Sequence, residues 1–233
     1  MVFDLTIIGC GVIGVETLHA IRKNLSKNKK LKKIKIAIIE KNLDNIPGGV
    51  AYSVKNSKFG FFNNPLRLSH PDFIKWFNVY KNKKKILEFS KIRKDYNLVN
   101  WAKDNNFILN AKFKDYDEIY LPRLIYAFFL EAKLIEFLKN NKKLKISIDF
   151  LNGEVKNFIK DNTFEIYPKL FFNKVNINFK KDSLVKKKTL NKIVKKKTKK
   201  IIIGTGIAPP KKINEIGKKI NSNYIWDFYS SGG

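Results

Sequence analysis

Cysteine, histidine and arginine are all scarce in this chain of 233 residues. The single thiol, Cys10, excludes an intramolecular disulfide and a C-x-x-C redox pair. With only His19 and His70 beside it, no cluster reaches metal-ligand spacing, so no metal is expected. There is no P-loop and no nucleophile-elbow sequence. No apolar run approaches the ~20 residues of a membrane-spanning helix. The N-terminus opens on an apolar strand rather than on a basic leader with a small-residue cleavage site. A soluble, cytoplasmic protein without a membrane span is expected.

Acidic residues are few as well: 20 Asp and Glu stand against 48 Lys and Arg, a net charge of +28. Such an excess suits a polyanionic partner, either nucleic acid or an anionic membrane surface. Yet only four of the basic residues are arginine, the better phosphate fork. The lysines run along the whole chain, in a composition dominated by Lys, Asn and Ile. That balance favours compositional bias, and no specific nucleic acid is expected. The densest run, 180–200, has eleven lysines and one acid, Asp182, and reads as a solvated loop or hairpin face.

What is present is a globular pattern, 44% hydrophobic and apolar in every segment. Residues 3–9 read as a buried strand entering a glycine turn, followed by a helix to about Lys23. Residues 34–39 form a second strand ending at Glu40, which completes a parallel βαβ unit. Residues 41–70 show few regular signals beyond the turn Pro47-Gly48-Gly49. A short helix is predicted from Pro71 to about Tyr80, burying Phe73, Ile74, Trp76 and Phe77. At most one or two short helices are expected across 81–118. Pro122 suits the first position of a strong helix with a 3.6-residue apolar face including Leu124, Ile125, Phe128, Phe129 and Leu134. Residues 144–150, 163–167 and 175–179 read as strands of a small meander. Ile201-Ile202-Ile203 then runs into a second glycine turn, Gly204-Thr205-Gly206.

The chemistry concentrates in Gly9-Cys10-Gly11-Val12-Ile13-Gly14, a full G-x-G-x-x-G. It follows a predicted strand, opens a predicted helix and is answered by Glu40. In that context Gly9 allows the tight turn, Gly11 admits a pyrophosphate to the backbone, and Gly14 permits close helix–strand packing. The helix N-terminus favours the anion, while Glu40 accepts ribose hydroxyls and repels a 2′-phosphate. Cys10 reads as a small packing residue and His19 as structural. His70 is a weak candidate for a cofactor or substrate contact.

Further along, Pro47-Gly48-Gly49-Val50-Ala51-Tyr52-Ser53 is followed by Phe62-Asn63-Asn64-Pro65-Leu66-Arg67-Leu68-Ser69. Pro71-Asp72-Phe73 with Trp76, then Leu121-Pro122-Arg123, and finally Gly204-Thr205-Gly206 with Pro209-Pro210, complete the set. Together these resemble the FAD–NAD(P)-binding domain family related to flavin-dependent hydroxylases and monooxygenases. The likeness spans about Asp4 to Pro210.

The resemblance implies an α/β fold: a three-layer FAD/NAD(P)-binding Rossmann-like domain, its parallel sheet carrying a small antiparallel meander. It implies a FAD-binding domain over 1–210, with a loop and helical insertion at about 41–120, and the start of an incomplete C-terminal region at 211–233. FAD would lie across Gly9, Gly11, Val12, Gly14, Glu40 and Lys41. Gly49, Asn63, Arg67 and Arg123 would approach the flavin or pyrophosphate, and Val155, Thr205 and Gly206 would close the adenine side and second turn. NAD(P)H would serve as a transient hydride donor to an oxidoreductase acting on a small molecule, with no catalytic acid or base assigned. Family members are longer, so a FAD-binding fragment, completed by a missing C-terminal half or a partner subunit, is the main rival. A nucleic-acid-binding protein and a single-Rossmann NAD-dependent dehydrogenase are weaker alternatives.

Overall fold

A computed structural model describes residues 2–27, 33–54, 60–92, 96–105, 107, 113–141, 143–159, 163–172 and 194–206. The chain is an α/β protein built on one seven-stranded, mostly parallel sheet. In chain order the strands are β1 (Val2–Phe3), β2 (Leu5–Ile8), β3 (Ile34–Glu40), β4 (Ile146–Ile159), β5 (Thr163–Phe172), β6 (Val194–Thr198) and β7 (Ile201–Ile203). The helices are α1 (Val12–Leu25), α2 (Gly49–Tyr52), α3 (Pro71–Asn78), α4 (Tyr80–Ile92), α5 (Tyr96–Asp104) and α6 (Arg123–Asn140).

The expected βαβ unit is found: β2 and β3 pair in parallel with α1 between them. β3 alternates as a doubly covered strand should. Ile36 and Ile38 pack with Leu18 of α1 and with Leu134 and Phe137 of α6. Ala37 and Ile39 face the other way, onto Ile8, Leu151 and Ile166. Helices therefore cover one face, and the antiparallel β4–β5–β6 segment folds across the other.

β4 is longer than its alternation suggests. Its first half pairs in parallel with β3, and its second half turns into the antiparallel ladder with β5. Register shifts at Asn152/Gly153 and Val155/Asn157 mark that change of partner. The predicted strand 175–179 lies outside the described residues. Within the lysine-rich run expected to be a solvated loop or hairpin face, Val194–Thr198 is strand β6, antiparallel to β5 and parallel to β1.

β6 and β7 behave as one strand with a break. β6 pairs with β1, and β7 pairs with β2, both in parallel and in continuous register. The break at Lys199–Lys200 meets the break at Asp4: Lys199 N–H donates to the Phe3 carbonyl at 2.9 Å and Thr6 N–H to that of Lys200 at 2.9 Å. The sheet curls because the β4–β5–β6 ribbon carries the chain from one side of β2 to the other.

α6 is apolar all round in its first half, where Leu124 to Leu130 are buried without interruption. That departs from the one-sided face predicted, and it has a cause. A helical insertion packs Leu66, Phe73, Phe77, Ile86 and Leu98 against that half, while Leu134 and Phe137 meet the sheet. A helix buried on all sides has no polar face to keep. Pro122 is the N-cap of α6 rather than its first residue. No helix among the described residues is long and apolar enough to cross a membrane.

Candidate functional site

β2, β3 and β7 all point their C-terminal ends at one edge, and α1 begins there. In α/β folds with parallel strands, ligands bind beyond the carboxyl ends of the strands. Here β2, flanked by β3 and β7, is the middle strand of that edge.

The three motif glycines do different work at this edge. Gly9 has a φ of +93°, and a Cβ on it would sit 2.4 Å from the carbonyl oxygen of Gly204. Gly204 N–H in turn donates to the Ile8 carbonyl at 2.8 Å, so the two glycine turns touch backbone to backbone. A Cβ on Gly14 would sit 2.6 Å from the Gly9 carbonyl oxygen, which is the close helix–strand contact expected of it. Gly11 is unlike both. Its backbone is extended at φ −73°, and its Cβ would meet nothing nearer than Gly49 Cα at 3.5 Å, an ordinary contact. Packing requires Gly9 and Gly14, and it does not require Gly11.

Gly11 is also the N-cap of α1. It offers no side-chain cap, and the first turn, opened by Val12, holds no acid. Among the described residues, no side chain of the cap or of the first turn accepts from the first-turn N–H groups, which lie at the positive end of the helix dipole.

Glu40 closes the second side of the edge. It is 9% exposed, and its Oε2 accepts from Cys10 N–H at 2.9 Å while Oε1 accepts from Asn42 N–H at 3.2 Å. Two of the roughly four lone-pair sites of a carboxylate are thus used, which leaves acceptor capacity for hydroxyl donors. Replacing Glu40 by Ala should cost about 2–3 kcal/mol in urea unfolding, because two charge-assisted bonds go and the Cys10 amide is stranded. Glu40→Gln should recover part of the loss. Wild-type stability in Glu40→Ala would remove those bonds from the account.

Cys10 is fully buried between sheet and helices. Burial, with Glu40 adding to it, pushes its thiol far above the usual range, so it stays neutral and inert.

The third wall is the turn Gly48-Gly49-Val50-Ala51-Tyr52. Gly48 bridges to Gly11, and Gly49 Cα faces it. The Tyr52 ring stacks on Phe62 at 5.6 Å and meets Tyr126 at 5.2 Å. Beside Phe62, Arg123 donates from Nε to the Phe61 carbonyl at 2.9 Å and from Nη2 to Asn63 Oδ1 at 3.1 Å. A continuous path of contacts thus joins Gly49, Asn63 and Arg123 to the glycine turn.

Family models, curated proteins and solved structures yield no match to this chain. A functional reading therefore rests on the motifs and on this edge.

The remaining sequence-predicted residues divide. Lys41 sits next to Glu40 and pairs with Glu154 at 3.2 Å. Val155 packs into the layer between sheet and meander. Thr205 and Gly206 are exposed beyond β7. Arg67 is engaged elsewhere, its guanidinium paired with Asp117 on the insertion. His70 is the N-cap of α3, accepting from Asp72 N–H at Nδ1. His19 is structural as expected, 3.7 Å from Asp72, with burial holding its pKa below the usual value.

One contributor escaped the sequence reading. Asn152, 4% exposed, donates to the carbonyls of Glu40 and Lys41 at 2.8 and 2.9 Å and so fixes the tip of β3. An amide within an apolar strand was its only signal.

Proposed function

We propose that this chain is a FAD-binding flavoprotein, with the nucleotide held at the C-terminal edge of β2, β3 and β7. The observation that carries the reading is Gly11, a glycine the packing does not need, standing at the uncapped N-terminus of α1. A pyrophosphate is the ligand that such a gap admits. Glu40 is placed to take ribose hydroxyls with its free lone pairs, and its charge disfavours a 2′-phosphate. FAD is preferred over NAD because the ribbon crossing from β4 to β7 brings a second glycine turn against the first. A lone βαβ dehydrogenase unit has no use for that arrangement.

When bound, the flavin would supply the redox chemistry, taking hydride from NAD(P)H and passing electrons to oxygen or a small organic substrate. The protein groups bind and orient. Glu40 anchors one end, the α1 first turn holds the phosphates, and Arg123, fixed by two neutral acceptors, offers its remaining N–H donors to an anionic group.

A second reading, the nucleotide-holding part of a larger flavoprotein without turnover of its own, is favoured by apolar exposure around this edge. Ile13, Val50 and Ile203 are 52%, 46% and 60% exposed. The visible spectrum of the purified protein and the nucleotide released on denaturation test both readings. Flavin bands with released FAD are expected, and a protein that stays colourless with added FAD sinks both. NADH or NADPH oxidation with oxygen uptake then marks the enzyme, and its absence from a flavin-loaded protein marks the second reading.

A further inference from the structure

The end of the sheet opposite the glycine turns gathers cations that the proposed nucleotide site does not use. Lys33 precedes β3, Lys143 and Lys145 precede β4, Lys200 precedes β7, and Lys27 follows the end of α1. All five are exposed. Register sets Lys33 beside Lys145, where Ile34 N–H donates to the Lys145 carbonyl at 3.1 Å, and sets Lys200 level with Leu5 and Ile36, further along the sheet.

None of the five has an ion-pair partner among the described residues, and the acids near them are spent. Asp4 accepts from Lys35 N–H at 2.8 Å and pairs with Lys199 at 2.7 Å, while Glu136 pairs with Arg22. Glu40, Asp44 and Glu154 belong to the opposite edge. Helix C-termini attract lysine, which accounts for Lys139 in the last turn of α6. It does not account for Lys33 ahead of β3 or Lys200 ahead of β7.

A second observation singles out Lys145. Among the described residues it is the only non-glycine with a positive φ, at 55°. A side chain there is strained where glycine would be relaxed, and a strained position points to a use for the side chain it keeps.

We propose that this end face docks on an anionic membrane surface. Lys33 and Lys145 head adjacent strands about 4.8 Å apart, and Lys200 heads a strand beyond β2, so the cations are spread over a broad end face rather than gathered in one pocket. Lysines on flexible stems suit a field of lipid headgroups. The five residues include no arginine fork and no aromatic ring on which a base would stack. Val2, 45% exposed at the start of β1, adds an apolar contact. Docked this way, the glycine turns face away from the membrane.

The test is co-sedimentation with phosphatidylcholine vesicles containing phosphatidylserine, against phosphatidylcholine alone. Binding only to the anionic vesicles is expected, lost as salt shortens the Debye length from about 10 Å to about 3 Å. Each lysine contributes roughly fivefold in partitioning. The triple variant Lys33→Glu, Lys143→Glu, Lys145→Glu should therefore fall at least about 100-fold. Lys75→Glu, Lys103→Glu, Lys114→Glu, with the same change of net charge on the insertion, should bind nearly as wild type. Lys145→Gly should raise the thermal unfolding midpoint while weakening binding, which separates docking from folding. Equal loss in both triples would reduce the effect to net charge. Tighter binding of duplex DNA or RNA than of vesicles, abolished in the first triple, would make the face a nucleic-acid site. Either result, or no binding to anionic vesicles, overturns the proposal.

Discussion

Gly11→Ala should fold like the wild type and lose FAD. The new methyl would meet Gly49 Cα at 3.5 Å, Gly49 N at 3.7 Å and Gly48 C at 3.9 Å, contacts that need no rearrangement. The backbone is already extended there, so no strain arises and stability should stay within about 1 kcal/mol of wild type. A pyrophosphate on the first turn of α1 has less room. Pushed outward by one methyl, it forfeits at least one charge-assisted N–H bond, on the order of 1.5–3 kcal/mol each. Loss of about 3 kcal/mol weakens retention roughly 100-fold. Gly9→Ala and Gly14→Ala supply the contrast. Their methyls would collide with backbone oxygens at 2.4 and 2.6 Å, so both should lose stability before any question of ligand arises. FAD titration beside urea unfolding for all three variants reads the pattern. Wild-type FAD affinity in a folded Gly11→Ala protein would remove the pyrophosphate from this turn.

Much of that edge was legible because its signals are local. A strand, a glycine turn and a helix lie consecutively in 5–25, and the acid at Glu40 ends the next strand. Period and turn chemistry read such features directly. What escaped depends on partners distant in sequence. Alternation lost β4 after Phe150 because the strand changes partner near Asn152, where bulges break the period of two. Arg67 looked free for a ligand since nothing nearby in sequence announces Asp117 as its partner. His70 stood out by lying in an irregular loop before Pro71, and its capping bond from the Asp72 amide depends on where α3 begins. The insertion was unclear for another reason. α4 and α5 are rich in Lys and Asn, and Ile86, Leu98 and Ala102 are the buried anchors that tie them to the core.

The insertion matters to the site through one side chain, and Phe73→Ala should show it. Phe73 is 0% exposed, with ring contacts to Phe62 at 5.8 Å, Tyr126 at 5.0 Å and Phe129 at 5.3 Å. Truncation at such a position costs about 3–5 kcal/mol, transfer and cavity terms together. That is a large share of the ~5–15 kcal/mol holding a domain folded. Phe73→Leu keeps most of the volume and should lose well under half as much. The consequence reaches the proposed nucleotide edge because Phe62, which leans on Phe73, also stacks on Tyr52, and Tyr52 ends the short helix whose start sets Gly48 and Gly49 against Gly11. Urea midpoints should therefore fall in the order wild type, Phe73→Leu, Phe73→Ala. FAD retention should weaken in Phe73→Ala even at urea concentrations where the variant is still folded. Full retention by folded Phe73→Ala protein would show that the aromatic cluster stabilises the insertion alone, and that the Gly48–Tyr52 turn keeps its place against Gly11 by its own backbone bonds.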